Sequence, residues 1–76
     1  MNNKRRELLK KARSLLEDVS NLVNRALDEE QDCLDNLPEN LMNSERYQKM
    51  ENAIDSLESA IEQIDASDDD IREALI

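Results

Sequence analysis

Asp35-Asn36-Leu37-Pro38-Glu39-Asn40-Leu41-Met42-Asn43-Ser44 is where the helical patterning of this chain stops and restarts. Pro38 has no amide hydrogen to donate and pushes Leu37 out of helical geometry, so a helix arriving from the N-terminal side ends here. Ser44 or Asn43 then offers a side-chain oxygen to cap a new helix. Glu45 falls in the first turn of that helix, where the dipole favours negative charge. Leu37 and Leu41 are placed to plug the end between the two helices. The expected layout is a single domain over residues 1–76, with helix 1 at about 3–36, the turn at about 37–43 and helix 2 at about 44–76.

Outward on the N-terminal side, Leu9, Ala12, Leu16, Val19, Val23, Ala26, Glu30, Cys33 and Leu37 alternate steps of three and four. That is the heptad pattern of a helix with a buried stripe. A second column, Leu8, Leu15 and Leu22, runs beside it and ends at Glu29. The small column Ala12, Val19, Ala26 and Cys33 is expected to floor a groove between two larger ridges, wide enough to meet two neighbouring helices.

On the C-terminal side, Tyr47, Met50, Ile54, Leu57, Ile61, Ile64, Asp68, Ile71 and Leu75 repeat the same steps, broken once by Asp68. Ala53, Ala60, Ser67 and Ala74 flank them, so a further helix could approach closely there. Two readings stay open near residue 67. The heptad phase continues through Asp68, yet Ser67-Asp68-Asp69-Asp70 also reads as a fresh capping box, giving a break at 66–68 and a short C-terminal helix.

Each helix would have about 33 residues and span roughly 50 Å at 1.5 Å per residue. Matched lengths and a short connection make an antiparallel, coiled-coil-like hairpin, and the fold class all-α. In such a hairpin, residues whose numbers add to about 80 lie side by side. Lys10 and Lys11 would then face Asp69 and Asp70, Arg25 would face Asp55, and Lys49 or Arg46 would face Glu30 or Asp32. These exposed pairs select direction more than they stabilise.

Composition narrows the classes further. The 76 residues contain no Gly, no His, one Pro, one Cys (Cys33) and one aromatic (Tyr47). Strands want aromatic and β-branched residues and hairpins want Gly turns, so a β fold is excluded. Without His and with a lone Cys, imidazole chemistry, a zinc cage and an internal disulfide go as well. Net charge is −9, unevenly placed: residues 1–25 hold seven bases against three acids, and the rest hold three against sixteen. Such an acidic chain is repelled by nucleic acid and anionic membrane, so neither direct nucleic-acid binding nor a membrane partner is expected. The basic start has no apolar run like that of a signal peptide, and no segment approaches the roughly 20 apolar residues of a bilayer span. A cytoplasmic, reducing location is the plain expectation.

No catalytic, cofactor-binding or metal-binding residue is expected, and no cofactor. Di-iron bundles need His, and Asp68-Asp69-Asp70 lacks the Gly and alternating ligands of a calcium loop. Glu29 and Glu30 read as a solvated bundle end beside Arg46 and Lys49. Cys33 has no activating base and acids around it, so it reads as a small core residue. Tyr47 reads as the start of the helix 2 seam.

Two helices alone cannot enclose a core, and two wide stripes per chain argue for a companion. A homodimeric four-helix bundle is the simplest, with Leu8, Leu15, Leu16, Leu22, Val23, Ile54, Leu57, Ile61 and Ile64 as its seam. A monomer stiffened by a third helical segment and a hairpin completed on a foreign protein are the alternatives. The surface feature above background is acidic: Glu51, Asp55, Glu58, Glu62, Asp65 and Asp69 form one ridge down helix 2. It reads either as a solubilising face partly relieved by helix 1 bases or as a docking face for a basic protein surface.

The stretch Leu37-Pro38-Glu39-Asn40-Leu41, then Ser44-Glu45-Arg46-Tyr47, then Met50-Glu51-Asn52-Ala53-Ile54-Asp55-Ser56-Leu57-Glu58-Ser59-Ala60-Ile61, resembles a group of small, mostly uncharacterised helical proteins of bacterial phages and prophages. The resemblance covers about residues 28–64. The chain departs from the group at Ser67–Asp70 and in its basic N-terminal segment. The resemblance implies a phage or mobile-element origin and carries over no active site. Two functions are carried forward. One is a non-catalytic protein that binds a host protein, such as an inhibitor of a defence system of the CRISPR kind. The other is an oligomerisation or phage-assembly accessory whose seam is its whole function.

Overall fold

The computed structural model describes residues 1–76 as two long helices folded back on each other. α1 spans Asn3–Asp35 and α2 spans Glu45–Leu75, joined through one 3₁₀ turn at Glu39–Leu41. There are no strands, and the rod measures 59 × 15 × 14 Å.

Each end of each helix has a visible cause. Asn2 caps α1, its side-chain oxygen accepting from the Arg5 amide at 2.9 Å. At the other end the chain holds no residue with positive φ, so the left-handed glycine exit is replaced by Asn36. Its backbone N–H and its side-chain amide both donate to the Asp32 carbonyl, at 3.1 and 2.8 Å. Pro38 follows in extended geometry, and its carbonyl accepts from Leu41 at 2.9 Å to close the 3₁₀ turn. Ser44, not Asn43, caps α2: its hydroxyl oxygen accepts from the Tyr47 amide at 3.2 Å and donates to the Leu41 carbonyl. Leu37 and Leu41 are half-buried at this end, as their plugging role requires.

The seam between the helices has one expected side and one shifted side. On α2, every member of the column from Tyr47 to Leu75 is buried or half-buried, and Met50 and Ile54 are the only residues of the chain below one-tenth exposure. On α1, Leu9, Leu16, Val23 and Glu30, with Leu37 just beyond its end, face α2 as expected, but they alternate with Arg6, Arg13, Ser20, Leu27 and Leu34. The small column does not share the seam: Ala12 is half-buried, and Val19, Ala26 and Cys33 are exposed. The reading of Cys33 as a core residue is thereby corrected. The physical reason lies across the interface. Asp68 sits in the α2 column and needs a donor, which Arg13 supplies, and turning α1 to bring Arg13 inward also carries Leu27 and Leu34 in place of the smaller Ala26 and Cys33.

At residue 67 the continuous reading holds. α2 runs through Ser67–Asp70 as one helix, with no break at 66–68 and no separate C-terminal helix. A cap at Ser67 would require extended backbone there and would throw Ile71 and Leu75 out of phase with Ile64. The Asp68 carboxylate is engaged by Arg13 and does not compete for backbone amides.

Candidate functional site

Heptad geometry gives the hairpin two long flanks, one on each side of the seam, and they differ in chemistry. The first flank is apolar. Leu8, Leu15 and Leu22 on α1 are 61%, 56% and 65% exposed, and Val19 between them is 42% exposed. With Ala12 and Ala26 they form an unbroken stripe at steps of four and three, the spacing of a second helix-packing seam. On α2 the neighbouring column is small: Ala53 and Ala60 half-buried, Ser67 and Ala74 exposed. The residues expected as an oligomer seam therefore divide. Leu16, Val23, Ile54, Leu57, Ile61 and Ile64 lie between the two helices of one hairpin, whereas Leu8, Leu15 and Leu22 face outward.

The second flank is acidic. Asp55, Glu58, Glu62, Asp65 and Asp69 are exposed and Glu51 is half-buried. No base of α1 pairs with them. Lys10 turns to Glu7 at 3.3 Å, and Arg25 to Glu29 at 3.6 Å, while Lys49 of α2 turns to Glu45 at 3.5 Å. The cross-helix pairs expected for Lys10, Lys11, Arg25, Arg46 and Lys49 are thus not formed: Lys10, Arg25 and Lys49 reach a partner one helical turn away with less ordering of a long side chain, and Lys11 and Arg46 make no ion pair. Arg46 and Lys49 do share a shallow pocket with Glu30. Within the ridge only Asp69 has an ion pair, to Arg72 at 3.8 Å.

Between the helices on this acidic side lies a polar groove of about 460 Å³, lined by Lys10, Arg13, Glu17, Ser20, Asp65 and Asp68 among others. Its floor is the single ion pair that crosses from one helix to the other. Arg13 Nε donates to Asp68 Oδ1 at 2.9 Å and Nη2 donates to Oδ2 at 3.4 Å, a two-pronged contact. The hydrogen bond from Arg13 holds the Asp68 carboxyl below its ordinary range, and the same bond raises the guanidinium. Arg6 adds a second cross-helix tie, Nη1 donating to the Leu75 carbonyl at 2.6 Å. Both pairs, 6 with 75 and 13 with 68, fix a register sum of 81. Arg13 was not expected in the seam. The signal that finds it is Asp68 itself, an acid in an apolar column whose opposite number at that register is an arginine.

Nothing in the arrangement assembles a reacting centre. Cys33 is exposed, and no three of Cys, Asp and Glu gather where a metal ion would need them. Glu29 is exposed and engaged by Arg25, with Glu30 half-buried toward Arg46 and Lys49. No helix is long and apolar enough to cross a membrane. What the surface offers is two contact faces of opposite character on opposite flanks of one rod. Comparison of the chain with protein families, curated proteins and solved structures gives no match.

Proposed function

We propose that this is a non-catalytic protein of phage or prophage origin that works by protein–protein contact in the bacterial cytoplasm. Two copies associate through the apolar flank into a four-helix bundle, and the acidic ridge of α2 docks a basic surface on a host protein, inhibiting a defence system of the CRISPR kind. The observation that carries the reading is the separation of the two flanks. Glu51, Asp55, Glu58, Glu62 and Asp65 make no ion pair inside the hairpin, and the leucines that would drive self-association lie on the other side. Five neighbouring like-charge steps cost an isolated helix about 1–2 kcal/mol in sum. A basic partner relieves that repulsion. The resemblance of residues 28–64 to phage and prophage proteins supports the setting.

The test is capture from host lysate with the native chain and with the triple variant Glu58→Lys, Glu62→Lys, Asp65→Lys. The expected outcome is a basic host protein held by the native chain and lost by the variant, at equal helicity by circular dichroism. Binding that survives the reversal overturns the ridge. The exposure of Leu8, Leu15 and Leu22 favours a second reading, in which self-assembly is the whole function. Under it the reversal leaves activity intact and Leu15→Asp destroys it.

A further inference from the structure

The charges bordering the apolar stripe constrain how a second copy sits on it. Along its outer edge α1 carries Lys11, Asp18, Arg25 and Asp32, one per heptad, and Lys11, Asp18 and Asp32 make no ion pair within the hairpin. On α2 the column at the heptad position that Leu8, Leu15 and Leu22 hold on α1 carries Lys49, Ser56, Gln63 and Asp70, again one per heptad. Both series read as their own complement when reversed. An edge of this kind matches an antiparallel copy of itself.

We infer that two copies pack antiparallel, α1 on the partner's α1 and α2 on the partner's α2, about a two-fold axis crossing α1 between residues 20 and 21. The inference rests on the dimer reading above and adds its geometry. In this register Leu15 meets the partner's Ala26, Leu22 meets the partner's Val19 and Leu8 meets the partner's Cys33. At these three layers a large residue falls on a smaller one, the condition for close helix packing, and between the outer two the exposed Glu29, held by Arg25, covers the partner's Ala12. Lys11 then borders the partner's Asp32, Asp18 borders the partner's Arg25 and Lys49 borders the partner's Asp70, so every charge in the two columns finds its opposite.

The axis falls near the middle of α1 (Asn3–Asp35) and, through the register sum of 81, near residues 60 and 61 of α2 (Glu45–Leu75). The two rods consequently overlap along nearly their whole length. A face of 59 × 15 Å presents roughly 900 Å² to a partner, against about 800 Å² per partner in a standard stable interface. Small Ala60 sits at the crossing point of α2 with its copy, where close approach is needed. The competing arrangement lays α1 over the partner's α2 with both turns at the same end. It leaves Asp18 against Gln63 and Arg25 against Ser56, so half of the α1 edge charges go unanswered.

Disulfide trapping separates the two. In a Cys33→Ser background, Leu15→Cys with Ala26→Cys cannot close within one chain, because eleven helical residues put the pair about 16 Å apart, beyond the roughly 7 Å limit for a bridge. Mild oxidation is expected to give a covalent dimer, while Leu15→Cys with Ser67→Cys stays a single chain on a denaturing gel. As a measurement that needs no cysteine, Asp18→Arg is expected to weaken the dimer roughly five- to tenfold in sedimentation, and Asp18→Arg with Arg25→Asp to restore it. Trapping by the Leu15/Ser67 pair instead, or failure of the double charge swap to restore association, overturns the antiparallel arrangement and leaves the dimer standing. A native chain that sediments as one 8.8 kDa unit at 100 µM overturns both.

Discussion

Near the turn, Leu27 and Leu34 of α1 and Leu37 just beyond it meet Tyr47, Met50 and Ile54 of α2, and here alone the seam excludes enough water to leave two residues, Met50 and Ile54, buried. At the open end the same two columns carry Arg6, Arg13 and Asp68, and the contacts are directed ones: a two-pronged ion pair and an arginine on a backbone carbonyl. The turn end is held by area, which is indifferent to small slips along the axis. The open end is held by geometry, which is not. A two-helix protein needs both, since a heptad seam alone is equally satisfied by a slip of one heptad, whereas Arg13 on Asp68 and Arg6 on the Leu75 carbonyl are made together in one register only.

The sharpest way to break this contrast is to remove the same group from each end. Ile54→Ala is expected to cost about 2–4 kcal/mol, because its side chain is enclosed, while Ile71→Ala at the half-buried open end should cost clearly less. Urea unfolding followed by circular dichroism measures both, and equal losses would refute the asymmetry. A smaller effect sharpens the other side of the contrast. Replacing only Arg13 with Met leaves Asp68 without its donor, and amide exchange should accelerate over residues 64–72 while residues 50–54 keep their protection. Changing both, Arg13→Met with Asp68→Leu, should restore overall stability yet lose the register, seen as heterogeneous cross-helix contacts by NMR.

The smallest expected effect is with pH. The Asp68 carboxyl lies below its ordinary value in the folded chain because Arg13 donates to it. Its stabilisation is therefore complete above the ordinary aspartate range near pH 4 and is lost as pH falls through the lowered value. Acid should fray the open end before the turn end, and hydrogen exchange between pH 5 and pH 2.5 would show the order. The Arg13 guanidinium is shifted upward and stays protonated, so no matching alkaline transition is expected. Simultaneous loss of both ends would mean that the ion pair is not what holds the open end.

Much of this architecture could be read from residues in order. The α2 column from Tyr47 to Leu75 is present member by member, because eight of its nine side chains are apolar or aromatic and outweigh one Asp. The turn was legible from Pro38 and Ser44, and the register of about 80 lies within a residue of 81. Half of the α1 seam was not legible. Ala12 and Val19 outrank Arg13 and Ser20 on hydrophobicity and set the phase of the column, carrying it on to Ala26 and Cys33 past the larger Leu27 and Leu34. A one-helix pattern cannot see that Asp68 on the other helix needs a donor. The individual ion pairs were also missed, since the reading matched charges by level alone, and bases with an acid one turn away took that acid instead. The acidic ridge was visible as a spacing. That it stands apart from the leucine stripe became visible only when both were placed around the same rod.

The single thiol of the chain has a practical consequence. Cys33 is exposed on the single hairpin and sits toward the turn, at the outermost layer of the antiparallel contact opposite the partner's Leu8, so one maleimide dye attaches at one known place on the rim of the pair without any substitution. In the antiparallel pair with its two-fold axis between residues 20 and 21 the two dyes stand roughly 40 Å apart, about 12 residues on either side at 1.5 Å each. In a pair with both turns together they stand within about 20 Å, the width of the bundle. Energy transfer between a donor-labelled and an acceptor-labelled batch therefore reads the relative direction of the two rods straight from the wild-type polypeptide, with Cys33 serving as its built-in ruler.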